Sequence, residues 1–237
     1  MINVLELFAG SRSIGKVADL LEMNVLSVDK FIKKDIDLVC GVEDITEEQI
    51  RDLLGTPDVI WASPVCNAWS KTGWFSYWDT KAYKAFGQFV PKKDFAVESV
   101  EMVHKTIEIF SWFPNAVFFM ENPEGMLQKH PVLNTFYDLG IHENLKRRKV
   151  TYCSYGSLVR KPTHIWTNSP TWIPRPHCNE GDDCHLRTPK NSQKGVRALK
   201  DSYDRSKVPA QLCFEILKQF STDYELEKPK QKIYSLF

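Results

Sequence analysis

No apolar run in the 237-residue sequence approaches the roughly 20 residues that a membrane-spanning helix needs, so no membrane partner is expected. The N-terminal MINVLELFAG enters a strand-like run at once and carries no signal-peptide pattern, which makes an intracellular location the expectation. Without a secretion signal, the six cysteines are not expected to form disulfides; each is core filler, a metal ligand or a nucleophile. No internal repeat is present, which excludes a repeat architecture. An excess of charge of one sign is missing too: 31 basic residues balance 30 acidic ones, for a net charge of +1. That balance gives no global sign of a nucleic-acid binder, yet it hides basic clusters at Lys146-Arg147-Arg148-Lys149 and from Arg187 to Lys207. What is present, 43% hydrophobic and 26% charged residues, suits one globular domain, or one domain with a small appendage.

Short apolar runs alternate with helical spacings. Strands are expected over Ile2–Phe8, Val25–Val28 (ending at Asp29), Ile36–Val39, Asp58–Ala62 and Ala116–Met120. Helices are expected over Ile14–Leu21 and from Thr46, where Thr46-Glu47-Glu48-Gln49 has capping-box spacing ahead of the stripe Ile50, Leu53 and Leu54. A longer helix over Ala96–Phe113 would bury Val97, Val100, Val103, Ile107 and Phe110 on one face. Asn67 to Asp94 has no clear period and reads as an extended loop. Val150–Tyr155 and His164–Thr167 read as a strand pair, and Val208–Phe220 as a closing helix. Pro170 to Lys207 reads as an irregular insert, and the polar tail after Thr222 as loosely held. Such alternation indicates an α/β fold with a mostly parallel sheet, whose ligands sit at the carboxyl ends of the strands. Gly10, Asp29, Asp44, Cys66 and Glu121 each fall just after an expected strand.

Phe8-Ala9-Gly10-Ser11 lies between a strand and a helix, where glycine lets backbone approach a ligand closely. Asp29 closes the second strand and suits the two hydroxyls of a ribose. The alternative is a tight turn with a solvated carboxylate. These residues alone do not distinguish a nicotinamide cofactor from S-adenosylmethionine.

Ala62-Ser63-Pro64-Val65-Cys66-Asn67 opens a loop after the fourth strand, where a thiol can be exposed and prone to ionise. A lone cysteine is more often inert filler. Phe118-Phe119-Met120-Glu121-Asn122-Pro123 sets a carboxylate and an amide at the end of a buried strand. Burial there suits Glu121 to hold and deliver a proton near neutral pH; the alternative is a strand-ending turn. Between these motifs Trp69, Trp74, Phe75, Tyr77, Trp78, Tyr83 and Phe86 alternate with Lys71, Lys81 and Lys84. That mixture is either a cover for apolar core or a mobile lid that stacks on bases, and we favour the lid.

In order and spacing, Leu5-Glu6-Leu7-Phe8-Ala9-Gly10, Pro64-Val65-Cys66-Asn67 and Glu121-Asn122-Pro123 together resemble the cytosine-5 DNA methyltransferases, as far as about Thr167. The resemblance implies a Rossmann-like S-adenosylmethionine-dependent fold with a mixed, mostly parallel sheet and a small irregular insert. It implies a cofactor pocket of Phe8, Ala9, Gly10, Ser11, Asp29, Lys30, Asp44, Ile45, Ser63 and Pro64, with Asp29 on the ribose and Asp44-Ile45 at the adenine. Cys66 would be the nucleophile, Glu121 the proton donor to the base, and Asn122 the residue that fixes the glutamate loop. Departures are Arg12 and Ser13 where the family has glycines, and Val65 where it has proline. The family's Gln-x-Arg-x-Arg motif is absent. In its place stand Thr151-Tyr152-Cys153-Ser154-Tyr155-Gly156 and Arg160-Lys161-Pro162-Thr163, as in compact, mostly phage-encoded members, so Arg160 or Lys161 would take the cytosine carbonyl. Ser206-Lys207-Val208-Pro209 resembles the family's late Asn-x-Val motif and would close the cofactor pocket.

The implied partner is DNA with a flipped-out cytosine. RNA is a second substrate, since one branch of the family methylates tRNA, and a non-catalytic binding relative is a third reading. The implied compartment is the cytoplasm of a bacterial or virus-infected cell, or the nucleus of a eukaryotic one. Three units are expected: residues 1–169 as the catalytic domain, 170–207 as a short target-recognition insert, and 208–237 as a closing helix with its tail. So short an insert either reads sequence loosely or relies on a protein partner. His177-Cys178 and Cys184-His185 flank its Asn179–Asp183 turn. Cys153, Cys178, Cys184 and His185 form either a Cys₃His zinc set or free cysteines in a folded loop.

Overall fold

A computed structural model describes residues 1–186 and 202–221. Residues 187–201 of the expected insert and the tail from Thr222 onward lie outside the described residues. The chain builds a seven-stranded sheet in the order β3-β2-β1-β4-β5-β7-β6. Its strands are β1 (Asn3–Leu7), β2 (Asn24–Asp29), β3 (Leu38–Val39), β4 (Val59–Ala62), β5 (Val117–Pro123), β6 (Lys146–Thr151) and β7 (Pro162–Thr167). The first five strands pair in parallel; β7 runs antiparallel to both β5 and β6. The sheet is therefore mixed and mostly parallel, as the alternation of elements implies.

Helices on both faces bury two apolar layers. The first four in chain order are α1 (Ser13–Leu20), α2 (Glu47–Leu54), α3 (Trp74–Tyr77) and α4 (Thr80–Phe86). They are followed by α5 (Asp94–Trp112), α6 (Thr135–Asp138), α7 (Ser202–Ser206) and α8 (Ala210–Leu217). Ile14, Val17 and Ala18 of α1 pack with Leu212, Cys213 and Ile216 of α8 under Val4 and Trp61. On the other face Val103, Ile107 and Phe110 of α5 pack on Phe118 and Met120. The capping box at α2 forms in full, with Thr46 and Gln49 exchanging bonds.

Three expectations need correction. The Asn67 to Asp94 stretch is not simply extended, since α3 and α4 form within it; Asp79 caps α4 by accepting from the amides of Lys81 and Ala82. Val97 is 44% exposed and leaves the buried face of α5 to Ala96 and Ser99, while Val100, Val103, Ile107 and Phe110 of the expected stripe pack inward. The strand expected over Val150–Tyr155 begins earlier and ends at Thr151, where the chain turns into a 3₁₀ segment, Tyr152–Tyr155.

Candidate active site

The carboxyl ends of β1, β2, β4 and β5 open into one cavity of about 830 Å³. Its nucleoside end is built on the β1–α1 loop. Phe8 (φ 58°), Gly10 (φ 38°) and Arg12 (φ 54°) all adopt left-handed backbone, which coils the loop tightly and turns the Gly10 amide onto Asp29. Gly10 N donates to Asp29 Oδ2 at 2.8 Å, and Phe31 N donates to Oδ1 at 2.9 Å. Phe8, Ala9, Gly10, Ser11, Asp29, Lys30, Ser63 and Pro64 all line the cavity. Asp44 and Ile45 do not. Ile45 is buried in the core and Asp44 is exposed, while Val42 and Glu43 face the cavity.

Arg12 and Ser13, which stand where family members carry glycine, have structural partners. Arg12 Nε donates to Ser27 Oγ at 3.1 Å, and its guanidinium pairs with Asp19. Ser13 Oγ accepts from the Val208 amide at 3.1 Å, which draws the segment before α8 over the pocket; Ser206 and Val208 line it. Under this loop lies Glu6, which the sequence reading did not single out. Its carboxylate accepts from the amides of Ile14 and Gly15 at 2.9 and 3.0 Å and from Ser27 Oγ at 3.0 Å. It thus satisfies orphan donors at the start of α1. Burial outweighs these bonds and pushes its carboxyl up to about 7. The available signal was an acidic residue inside an otherwise apolar strand.

At the reactive end, Cys66, Glu121 and Lys161 line the same cavity. Cys66 opens a turn, its carbonyl accepting from the amides of Trp69 and Ser70. Asn122, wholly buried, donates Nδ2 to the Pro64 carbonyl at 2.9 Å, so the Glu-Asn strand end directly holds the cysteine loop. Further ties reinforce this clamp: Met126 N donates to the Trp69 carbonyl at 2.8 Å, and Ser70 bridges Gly125. Glycine is required at Gly125, where a Cβ would lie 2.1 Å from the Trp69 carbonyl oxygen. Glu124 joins Lys71 (2.9 Å) to Lys149 (2.8 Å), and the two ammonium groups pull its carboxyl down to about 2.

Glu121 is 5% exposed. Tyr152 donates its hydroxyl to Glu121 Oε1 at 2.8 Å, and Lys161 Nζ lies 3.6 Å from the same oxygen while resting over the Tyr152 ring. Burial and the adjacent carboxylate raise the Tyr152 phenol well above its ordinary value, so it stays a donor. Arg160 does not line the cavity; its Nε donates to the Cys178 carbonyl at 3.2 Å. Lys161 is the cation of that pair that faces the site. The aromatic loop also departs from a base-stacking lid. Trp69, Trp74 and Trp78 are buried with Phe89 and His130 against the core, whereas Phe75 and Phe86 are exposed. The core-covering alternative holds for the tryptophans. Cys153, Cys178, Cys184 and His185 converge elsewhere, beyond the end of β6.

The 3-2-1-4-5-7-6 order with an antiparallel seventh strand defines the Rossmann-like fold of the S-adenosylmethionine-dependent methyltransferases. Within that class the resemblance is to the cytosine-5 DNA methyltransferases. A probable DNA (cytosine-5)-methyltransferase of Frog virus 3 is 24% identical over 177 residues, 73% of this chain and 74% of that one. A DNA modification methyltransferase described from an E. coli prophage superposes with a TM-score of 0.51 at 14% identity, over 70% of this chain and 46% of that one. The Entamoeba histolytica methyltransferase EhMeth gives 0.50 at 14% identity, over 76% and 57% respectively. The chain spans about half the length of these solved structures. No protein-family model matches it. Among the described residues no helix is long and apolar enough to cross a membrane.

Proposed function

We propose that the protein methylates carbon 5 of cytosine in DNA, with S-adenosylmethionine as methyl donor. The observation that carries this reading is one cavity with Asp29 and the coiled Phe8–Arg12 loop at one end and Cys66 with Glu121 at the other. Its size is within the usual range for a small-molecule site. Asp29 keeps lone pairs for two ribose hydroxyls, and Gly10, on the cavity wall, puts no side chain between a ligand and the backbone. These residues fit S-adenosylmethionine, which supplies an electrophilic methyl group when bound.

Carbon 5 of cytosine is a poor nucleophile until a thiolate adds to carbon 6. Cys66 forms that bond while Glu121 gives a proton to N3, which turns the ring into an enamine. Carbon 5 would take the methyl group as the sulfonium's S–CH3 bond breaks to leave a neutral thioether; loss of the carbon 5 proton to a base, return of the N3 proton to Glu121 and expulsion of the Cys66 thiolate then restore the aromatic ring. Tyr152 and Lys161 hold Glu121 in place, and Asn122 fixes the spacing between the carboxyl and cysteine loops. Lys161, one of the two cations that the resemblance offers for this part, also presents its charge to the cytosine carbonyl. The target base must leave its helix to reach this depth, and the insert of residues 170–207 is its proposed reader.

The deciding assay supplies labelled S-adenosylmethionine with duplex DNA or tRNA, beside a Cys66→Ala control. Label on DNA that disappears in the variant is the expected result. Label confined to tRNA would move the substrate to RNA, and cofactor binding without transfer to either would make the protein a binding relative.

A further inference from the structure

We infer that Cys153, Cys178, Cys184 and His185 hold one structural zinc ion that fastens the insert to the connection between β6 and β7. The four donor atoms all lie within 4.8 Å of one another. His185 Nδ1 is 3.3 Å from Cys178 Sγ and 3.5 Å from Cys184 Sγ. Zinc bonds of roughly 2.0–2.3 Å in a tetrahedron separate neighbouring donors by about 3.3–3.8 Å, so small shifts bring the set into a coordination sphere. Three thiolates with one imidazole are a common closed set for zinc, and softer than calcium or magnesium prefer.

Local backbone is built to present these donors. Cys153 sits in the 3₁₀ turn directly after β6. The Asn179–Asp182 turn, closed by Asn179 N donating to Asp182 Oδ2 at 2.7 Å, folds Cys184 back onto Cys178. Cys178 is seated from both sides: its amide donates to Thr151 Oγ1 at 2.8 Å, and its carbonyl accepts from Arg160. An exposed member separates this cluster from ordinary core cysteines: Cys153 and Cys178 are buried, but Cys184 is not. Cys213, in the middle of an apolar layer, has no such neighbours, whereas Cys184 is exposed and gains no packing from the cluster.

The ion would have a definite task. Tyr152, the donor to Glu121, is the residue before Cys153. From Pro174 to Leu186 the described insert forms neither helix nor strand and buries Cys178 alone, so it has no core of its own. Hydrogen bonds such as Ser154 Oγ to the Pro176 carbonyl (2.9 Å) and Leu186 N to the Leu158 carbonyl (2.8 Å) lay it on the β6–β7 connection. A metal bond from Cys153 to Cys178, Cys184 and His185 makes that docking permanent, since structural zinc contributes directly to folding.

Elemental analysis of the purified full chain tests this without reference to activity. About one equivalent of zinc is expected, and cobalt substitution should give the strong sulfur-to-metal absorption and tetrahedral bands of a thiolate site. Cys184→Ser and His185→Ala, both on the solvent side, should lose the metal, whereas His177→Ala should retain it. A strong chelator should expose residues 172–186 to protease before the sheet unfolds. Less than about 0.2 equivalents of metal with no cobalt spectrum, or a disulfide among the three cysteines, overturns the assignment.

Discussion

At the scale of single residues, the site depends on polar groups that burial makes irreplaceable. Tyr152 and Glu121 are both buried, and their 2.8 Å bond joins a permanent donor to a carboxyl oxygen. Tyr152→Phe removes the donor and leaves that oxygen to Lys161 alone. A hydrogen bond contributes about 0.5–1.5 kcal/mol, so turnover should fall several-fold while affinity for S-adenosylmethionine holds. The pH–rate profile should move as well, which a merely structural tyrosine would not cause. Gly125→Ala is the complementary case. Its Cβ would meet backbone, the Trp69 carbonyl at 2.1 Å, and no rotamer change relieves that. The expected result is a displaced cysteine loop, read as loss of the covalent Cys66 adduct with a cytosine analogue, in a protein that still binds the cofactor.

At the scale of elements, the β1–α1 turn shows how a glycine-poor loop achieves a glycine-like path. Left-handed backbone at Arg12 costs about 1–2 kcal/mol, and its side-chain bonds to Ser27 and Asp19 offset that cost. The Arg12 side chain passes directly over Gly15, where a Cβ would meet Arg12 Cγ at 2.7 Å and Ser27 Oγ at 2.8 Å. Ser27 cannot yield, because it donates to buried Glu6. Gly15→Ala should therefore destabilise the protein by about 1–3 kcal/mol, although alanine is the better helix former by roughly 1 kcal/mol. Urea unfolding measures the sign; a stabilised variant would mean that Arg12 moves aside freely.

At the scale of the whole molecule, buried titrating groups give stability a pH dependence whose sign follows from their shifts. Burial holds His130 and His164 down to about 4, so each folded histidine resists a proton that the unfolded chain accepts near 6.5. Their contribution is present above about 6.5 and is lost as pH falls through about 4. Glu6, raised to about 7, opposes them: its contribution is full below the ordinary carboxyl value and fades as pH rises through about 7. Two histidines outnumber one glutamate, and the Glu124 contribution is lost only on approach to about 2. Stability should therefore decline from about pH 6.5 downward, and His130→Phe should flatten that decline in urea midpoints taken between pH 7 and 4. An unchanged slope would place the acid sensitivity outside the aromatic cluster.

Much of this was readable along the chain because it depends on neighbours in sequence. Apolar period located the strands, Thr46 to Gln49 spelled a helix start, and the order of the Gly10, Cys66 and Glu121 motifs placed them at one sheet edge. The sequence alone therefore determined the class of fold and brought the Gly10, Cys66 and Glu121 motifs to one edge of the sheet. What it left open depends on groups brought together across the sheet. No local pattern says that Asn122 reaches Pro64, that Tyr152 serves Glu121, or that Lys161 rather than Arg160 faces the cavity. Nor could it show that Val42 and Glu43 replace Asp44 and Ile45 there, or that three tryptophans turn inward to close a core. The contacts of Glu121 and Asn122 follow from the pairing of β5 with β7 beside β4, and the cavity face of residues 42–43 from the turn between β3 and α2. Which side of a side chain is wet or dry is a property of the assembled layers, and only the tertiary structure decides it.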